Sequence, residues 1–145
     1  MFSLRPATAD DAQTIRWLVH LGQINPTGLD WRRFVVAVNH DGEVIGCVQV
    51  KPHRDGSREL ASLVVHPDRR GEGVARALIE HMLAAQPGEL YLMCRSVLGP
   101  FYEKFGFRTV QPAEMPEYFR RISRLAGVLN RLRNEGVSLL VMKRG

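Results

Sequence analysis

The sequence has no long hydrophobic run. None of its apolar stretches approaches the roughly 18 residues of a membrane-spanning helix, and the first residues, MFSLRPATADD, lack the apolar core of a signal peptide. Low-complexity tracts and internal repeats are also missing, while 45% of the 145 residues are apolar. These features predict a single globular domain over residues 1–145, with no membrane partner and a cytoplasmic location.

Cysteine is scarce, and the histidines are scattered. The two cysteines, Cys47 and Cys94, each lie inside an apolar segment, which argues against a disulfide framework and a cysteine-rich metal site. Neither an HExxH pattern nor a His/Cys pair at metal-ligand spacing occurs among the five histidines, which are His20, His40, His53, His66 and His81. We therefore expect no metal.

Basic residues are in excess, since the net charge is +5 and the isoelectric point is near 9.8. This favours an anionic partner, which could be nucleic acid, an anionic cofactor or an acidic substrate. Arginines are concentrated between Pro116 and Arg133, opposite an apolar stripe of Tyr118, Ile122, Leu125, Leu129 and Leu132. The stripe predicts an amphipathic helix with a solvated basic face; recognition of an acidic substrate or of RNA is the alternative. Because no aromatic residues alternate with the arginines, we do not expect nucleic acid.

The hydrophobic pattern predicts alternating strands and helices. After a first strand, Phe2 to Arg5, and a helix ending near Gly22, three strands follow: RFVVAVN, EVIGCVQVK and RELASLVVH. Asp-Gly steps separate them, so an antiparallel meander is expected. A helix from Gly71 to Ala84, the strand LYLMC, a short helix in PFYEKFGF, a strand, the basic helix and a last strand after Gly136 complete the order. The strand, helix and strand around residue 80 imply a parallel crossover and a mixed sheet.

Two glycines stand between a strand and a helix in the stretch VVHPDRRGEGVARAL. The N-terminus of a helix carries unpaired N–H groups and a partial positive charge, so glycines there can admit a phosphate. The spacing of Gly71 and Gly73 is neither a Walker loop nor a complete GxGxxG fingerprint. On spacing alone, a tight turn without a ligand fits equally well.

The same stretch resembles motif A of the GNAT superfamily of N-acetyltransferases, through Arg70, Gly73 and Ala75. FYEKFGF, from Phe101 to Phe107, is similar to motif B of that superfamily. Arg95, directly after the strand LYLMC, resembles an arginine that follows the same strand in the N-acetylglutamate synthase branch. The resemblance implies an α/β (α+β) fold. In that fold about four helices flank a mixed, twisted sheet of about six or seven strands, which splays at its centre between RELASLVVH and LYLMC.

The resemblance also implies acetyl-CoA as the acetyl donor. Main-chain groups of one strand would pair with its pantetheine, namely those of Leu63, Val64 and Val65. N–H groups of the following loop and helix start would hold its pyrophosphate, namely those of Arg70, Gly71, Glu72, Gly73, Val74 and Ala75. A homodimer is common among relatives, and the sequence leaves the oligomeric state open.

Transfer to an amine needs a proton acceptor for the amine and a proton donor for the thiolate. The resemblance implies that Tyr102 is the donor, although an aromatic core residue is the alternative. It also implies that Glu59 is the base that accepts the proton of the amine. A solvent-facing glutamate at a strand edge is the alternative. Arg95 replaces the asparagine that many relatives carry, and it would bind a substrate carboxylate or remain a solvated loop residue.

These features predict an acetyl-CoA-dependent N-acetyltransferase that acts by direct transfer. Its acceptor would be a small-molecule amine such as an amino acid, or alternatively a protein lysine or N-terminus. A non-catalytic module that binds acyl-CoA or RNA is the competing hypothesis from another class.

Overall fold

The computed structural model describes residues 1–133 and 138–145, and it describes the side chains outside 129–137. Leu129 and Leu132 of the predicted stripe, and Gly136 before the predicted last strand, lie among the residues whose side chains are not described. Seven strands are formed by the described residues: β1 (Phe2–Pro6), β2 (Phe34–Asn39), β3 (Val44–Pro52), β4 (Arg58–Val65), β5 (Leu90–Arg95), β6 (Arg108–Thr109) and β7 (Leu139–Arg144). Four α-helices accompany them: α1 (Ala12–Leu21), α2 (Val74–Ala85), α3 (Gly99–Glu103) and α4 (Glu117–Arg133). The predicted order of elements is confirmed.

The strands form one mixed sheet in the order β1, β2, β3, β4, β5, β7, β6. Strands β1, β2 and β3 pair antiparallel, and β7 pairs antiparallel with both β5 and β6. The parallel pairing of β4 with β5 joins Glu59 to Tyr91. The predicted fold class is therefore confirmed, while the splay at the centre of the sheet stays a prediction.

Asp-Gly steps close the two predicted hairpins. Gly42 and Gly56 have φ angles of +83° and +88°, which non-glycine residues rarely adopt. Their N–H groups donate to the carbonyls of Asn39 and His53, each at 3.0 Å. The turn at Gly56 brings the ends of β3 and β4 together, since the N–H of His53 also donates to the Ser57 carbonyl at 2.9 Å.

Contacts divide the chain into two compact units. Unit 1 comprises Met1–Lys51 and Leu60–Pro87, and unit 2 comprises Pro52–Glu59 and Gly88–Gly145. In unit 1, α1 buries apolar side chains against β2, β3 and β4, including Ile15, Leu18, Val19, Phe34, Val36, Cys47 and Val64. In unit 2, the core contains Tyr91, Val110, Met115, Phe119 and Val141. No helix in the described part of the chain is both long and apolar enough to cross a membrane.

Two helices differ from the prediction, α2 in its first residue and α4 in its apolar stripe. Helix α2 begins at Val74 instead of Gly71, because Gly71 and Gly73 have left-handed backbones, with φ of +85° and +82°, that an α-helix does not accommodate. On α4 the predicted stripe is wrong at Leu125, which is 55% exposed, while Phe119 is fully buried. Among the described side chains of this helix, burial is thus concentrated in the first turns, where Phe119 meets Tyr91 of β5 with ring centroids 5.1 Å apart.

Asp11 fixes the start of α1. Its carboxylate accepts hydrogen bonds from Arg5 Nη1 at 2.7 Å, from Arg5 Nη2 at 3.0 Å and from the N–H of Thr8 at 2.7 Å. The hydrogen bonds from Arg5 are the main cause that lowers the pKa of Asp11. This carboxylate therefore joins the end of β1 to the turn that opens the helix.

We expect Asp11→Ala to lower the free energy of unfolding by about 1 to 3 kcal/mol, because a cap and charged hydrogen bonds are lost together. Since folding lowers the pKa of Asp11, its contribution is present above about pH 4 and is lost as the pH falls further. Urea unfolding at pH 7 and at pH 3 measures both effects. Asp10→Ala, at an exposed position in the same turn, is the matched control. Equal stability of the two variants at pH 7 would contradict this role.

Candidate active site

The loop that follows β4 lies in unit 1 and contains the expected pyrophosphate cradle. After β4, residues Pro67–Arg69 form a short 3-10 turn, in which the N–H of Asp68 donates to His66 Nδ1 at 3.1 Å. This capping contact gives His66 a structural role. The chain then passes through exposed Arg70 and the two left-handed glycines into α2.

Gly71 and Gly73 are required by their backbone conformation and not by a lack of space for a side chain. Both have positive φ, and a Cβ added at either position would have no described atom within 4 Å. The space above the start of α2 is therefore open, and Gly73 is the N-cap residue. Because the first N–H groups of a helix have no partner within it, this end of α2 presents donors to solvent or to an anion.

The expected pantetheine strand has an unusual backbone just before it. Ser62 has a φ of +59°, a left-handed conformation that a serine in a strand rarely adopts. Its hydroxyl accepts a hydrogen bond from Gln49 Nε2 at 2.8 Å, and both side chains are buried. Leu63, Val64 and Val65 follow directly, with Val64 in the core of unit 1.

Sequence reasoning missed Ser62, since nothing in RELASLVVH marks one of its residues as left-handed. A strained residue of this kind persists only where the surrounding structure holds it, and such residues cluster at functional sites. Here the hydrogen bond from Gln49, whose Nε2 also donates to the Gly28 carbonyl at 3.2 Å, supplies part of that support.

Tyr102 lies in unit 2 on the short helix α3 and is largely enclosed. Its ring meets Phe101 and Phe107 at centroid distances of 5.1 and 6.2 Å. Burial, and to a smaller degree the neighbouring Cys94, raises the pKa of Tyr102 to about 12. The phenol therefore stays protonated over the whole physiological range and can act as a proton donor.

The two cysteine thiols are unsuited to nucleophilic attack. Burial raises the pKa of Cys47 to about 12, and it also raises the pKa of Cys94. Because the thiolate is the reactive form, both side chains are expected to remain inert thiols. Direct attack by an amine needs neither of them.

Glu59 is buried at the start of β4 in unit 2, with 6% of its surface exposed. Its Oε1 lies 2.9 Å from His53 Nε2, and the two side chains are only 8% and 13% exposed. The alternative of a solvent-facing glutamate is therefore wrong. Burial, and to a smaller degree the charge of Glu59, raises the pKa of Tyr118, which stacks on His53.

Arg95 lies at the other end of β5 and is exposed. Glu59 is level with Tyr91 in the sheet, four residues before Arg95, so the two are roughly 13 Å apart along the strand. Tyr102 lies on α3, which follows the Arg95 end of β5 in the chain after one short 3-10 turn. The structure thus groups Tyr102 with the Arg95 end of β5, and it does not bring Glu59 and Arg95 together.

His53 is the residue that sequence reasoning missed beside Glu59. The sequence contained a local signal for this contact, because the Asp-Gly step predicts a hairpin turn that places His53 opposite Ser57. Glu59 is then two residues beyond the pair on the same face, which is the diagonal position that long side chains can reach. The ring contacts of His53 with α4 carried no comparable signal, since they join residues distant in the sequence.

Comparison with known proteins gives a family match and several relatives. The family model described as an acetyltransferase (GNAT) domain matches residues 30–109, more than half of the chain. Serotonin N-acetyltransferase from Mesocricetus auratus is 37% identical over 86 residues, covering 54% of this chain and 42% of that protein. Amino-acid acetyltransferase from Ralstonia nicotianae is 31% identical over 90 residues, covering 56% of this chain and 20% of that protein. The matches thus span less than half the length of these relatives.

A solved structure shares the fold over nearly the whole chain. It is N-acetylglutamate synthase from Neisseria gonorrhoeae complexed with coenzyme A and N-acetyl-glutamate, with a TM-score of 0.74. The alignment covers 99% of this chain and 35% of that one at 21% identity. This likeness concerns the arrangement of strands and helices alone.

Proposed function

The chain belongs to the acetyltransferase (GNAT) domain family, and on that premise we propose that it transfers an acetyl group from acetyl-CoA to a primary amine. The observation that carries the proposal is the start of α2. There, two left-handed glycines leave open space in front of unpaired helix N–H groups.

This cradle fits the pyrophosphate of acetyl-CoA. An anion at the start of a helix is stabilised by N–H donors and by the helix dipole, and Arg70 adds an exposed positive charge beside it. We assign the pyrophosphate to the N–H groups from Arg70 to Ala75. We assign the pantetheine to the main chain from Leu63 to Val65, next to the strained Ser62.

Residues of unit 2 carry the proton transfers in this proposal. Acetyl-CoA supplies a thioester, whose acetyl carbon bonds to the amine nitrogen while its bond to sulfur breaks. Tyr102 donates a proton to the departing sulfur, since its phenol is protonated at neutral pH. The amine releases its proton toward Glu59, which is buried in unit 2.

The acceptor that we propose is a small amine, such as an amino acid. The matched relatives are named for serotonin and amino acids, both of which are small amines. A protein amine and a module without turnover are the competing outcomes of the experiment below.

Thermal melting with and without acetyl-CoA tests the cofactor, and release of free CoA thiol across a panel of amines tests the reaction. We expect saturating acetyl-CoA to raise Tm by several degrees, because a ligand that binds only the folded state stabilises it. The panel should contain amino acids, arylalkylamines, and peptides with a free lysine or N-terminus. The absence of a shift would refute the proposal, and a shift without turnover would favour a binding module.

Arg95→Ala tests the predicted carboxylate contact. If the guanidinium binds the carboxylate of an amino-acid acceptor, we expect KM for that acceptor to rise about tenfold or more, because a charged hydrogen bond is worth about 1.5 to 3 kcal/mol. The decarboxylated amine of the same acceptor is the control substrate, and its KM should not change. Equal effects on both substrates would remove Arg95 from acceptor recognition.

A further inference from the structure

His53 lies at the boundary between buried Glu59 and a small cleft on unit 2. The cleft has a volume of about 190 Å³. Its lining consists of residues from the β3–β4 turn and the first turns of α4, namely His53, Arg54, Asp55, Glu117, Tyr118 and Arg121. Glu59 is absent from this lining, so His53 is the member of the pair that borders the cleft.

Three contacts hold the imidazole in place. Its Nε2 lies 2.9 Å from Glu59 Oε1, its face stacks on Tyr118 at a centroid distance of 3.7 Å, and Phe119 meets it edge-on at 5.5 Å. The backbone on either side is fixed by the hydrogen bonds of the hairpin turn. A ring held on this many sides has little freedom to rotate away from the carboxylate.

The contact with Glu59 selects one form of the neutral imidazole. Because an ionised carboxylate can only accept a hydrogen bond, we assign the proton of the neutral imidazole to Nε2, which donates a hydrogen bond to ionised Glu59. The lone pair is then on Nδ1, and among the described residues no donor is bonded to that nitrogen. A carboxylate that orients a histidine and stabilises its protonated form is the arrangement found in general-base catalysis.

We propose that His53 is the proton acceptor for the amine and that Glu59 is the residue that positions it. This inference rests on the proposed acetyl transfer and assigns the base within it. At neutral pH the acceptor is an ammonium ion, and its proton passes through water to Nδ1 of His53. The neutral nitrogen then bonds to the acetyl carbon while the C–S bond breaks, and its second proton is released to water. The sulfur receives its proton from Tyr102.

Both groups then return to their starting state by exchange with water. His53 releases the proton from Nδ1 into the cleft, and Tyr102 regains one from water. Buried Glu59 has little contact with solvent, whereas His53 borders the cleft through which the proton can leave.

His53→Gln tests the proposal. At pH 7 we expect kcat/KM for the best amine of the panel to fall about 100-fold, which is the lower range for loss of a general base. The Tm shift with acetyl-CoA should be unchanged. As the pH rises past about 10, an alkylamine loses its proton without help, so the ratio of parent to variant should shrink toward one.

The pH comparison must allow for the other charges around the ring. They are Glu59 on β4, Arg54 and Asp55 on the turn, and Glu117, Tyr118 and Arg121 on α4. Because parent and variant share all of these groups, the ratio between them isolates His53. His40→Gln is the matched control, since His40 is an exposed histidine on the other hairpin turn, and it should behave as the parent.

Two further variants separate proton transfer from structure. His53→Ala should be partly rescued by added imidazole, which a purely structural role would not allow. Glu59→Gln keeps a hydrogen-bond acceptor without the charge, so its loss of kcat/KM should be smaller than that of Glu59→Leu.

The outcomes distinguish this inference from the proposed function. If the parent turns over an amine and His53→Gln stays within threefold of it at pH 7, His53 is not the base and the acetyltransferase assignment stands. A ratio that does not change with pH, without imidazole rescue, would also overturn the inference. A parent that binds acetyl-CoA but acetylates no amine would overturn both.

Discussion

Tyr102→Phe is expected to lower kcat by about 10³-fold while leaving the affinity for acetyl-CoA nearly unchanged. Loss of a general acid typically costs 10²- to 10⁴-fold, and the thiolate would otherwise leave unprotonated. Phenylalanine preserves the ring contacts with Phe101 and Phe107, so the fold of α3 should be retained. Steady-state kinetics with calorimetric titration of acetyl-CoA measures both quantities.

The pH dependence gives this prediction a second readout. Because the pKa of Tyr102 is raised to about 12, the parent should lose no activity through ionisation of this phenol below about pH 11. The raised pKa also favours the folded state up to pH 10, and this contribution is lost as the pH rises from 10 through 12. Phe101→Leu, which alters the same aromatic cluster without removing a hydroxyl, is the control. Turnover by Tyr102→Phe equal to that of the parent would exclude Tyr102 from the chemistry.

Gly73→Asp is expected to weaken acetyl-CoA binding by about 10³-fold. The new carboxylate would stand at the first turn of α2, where the cofactor's pyrophosphate is assigned. Two like charges about 4 Å apart near a protein surface repel by about 4 kcal/mol, which corresponds to that factor in Kd. Calorimetric titration at one ionic strength measures the change in the Kd for acetyl-CoA. A second titration with added salt should show a smaller change.

Gly42→Asp is the matched control for this variant. Gly42 has nearly the same φ, +83° against +82°, and a Cβ at either position meets no described atom within 4 Å. Both variants therefore carry a similar backbone strain, and their Tm values without ligand should fall by similar amounts. Only Gly73→Asp should lose affinity for acetyl-CoA. Equal loss in both would show that strain is responsible and would remove the pyrophosphate from this loop.

Much of the fold was predictable because its signals are local. The Asp-Gly steps at residues 41–42 and 55–56 require left-handed glycines, which set the two hairpins. The helix predicted after the glycine loop is present as α2, with Val74, Leu78 and Met82 buried. The family match over residues 30–109 agrees with the resemblance based on motif A and motif B.

The sequence by itself determined the order of strands and helices, the family, and the glycine loop that opens α2. Only the tertiary structure decided which side chains meet. It buried the His53–Glu59 pair of the hairpin, stacked the His53 ring on Tyr118 of a helix distant in the chain, and left Leu125 exposed. The physical reason is that turn conformation and periodicity depend on neighbouring residues, whereas these contacts depend on how distant elements pack. The pairing of His53 with Glu59 follows from the local hairpin, whereas the contact of its ring with α4 is seen only in the folded chain.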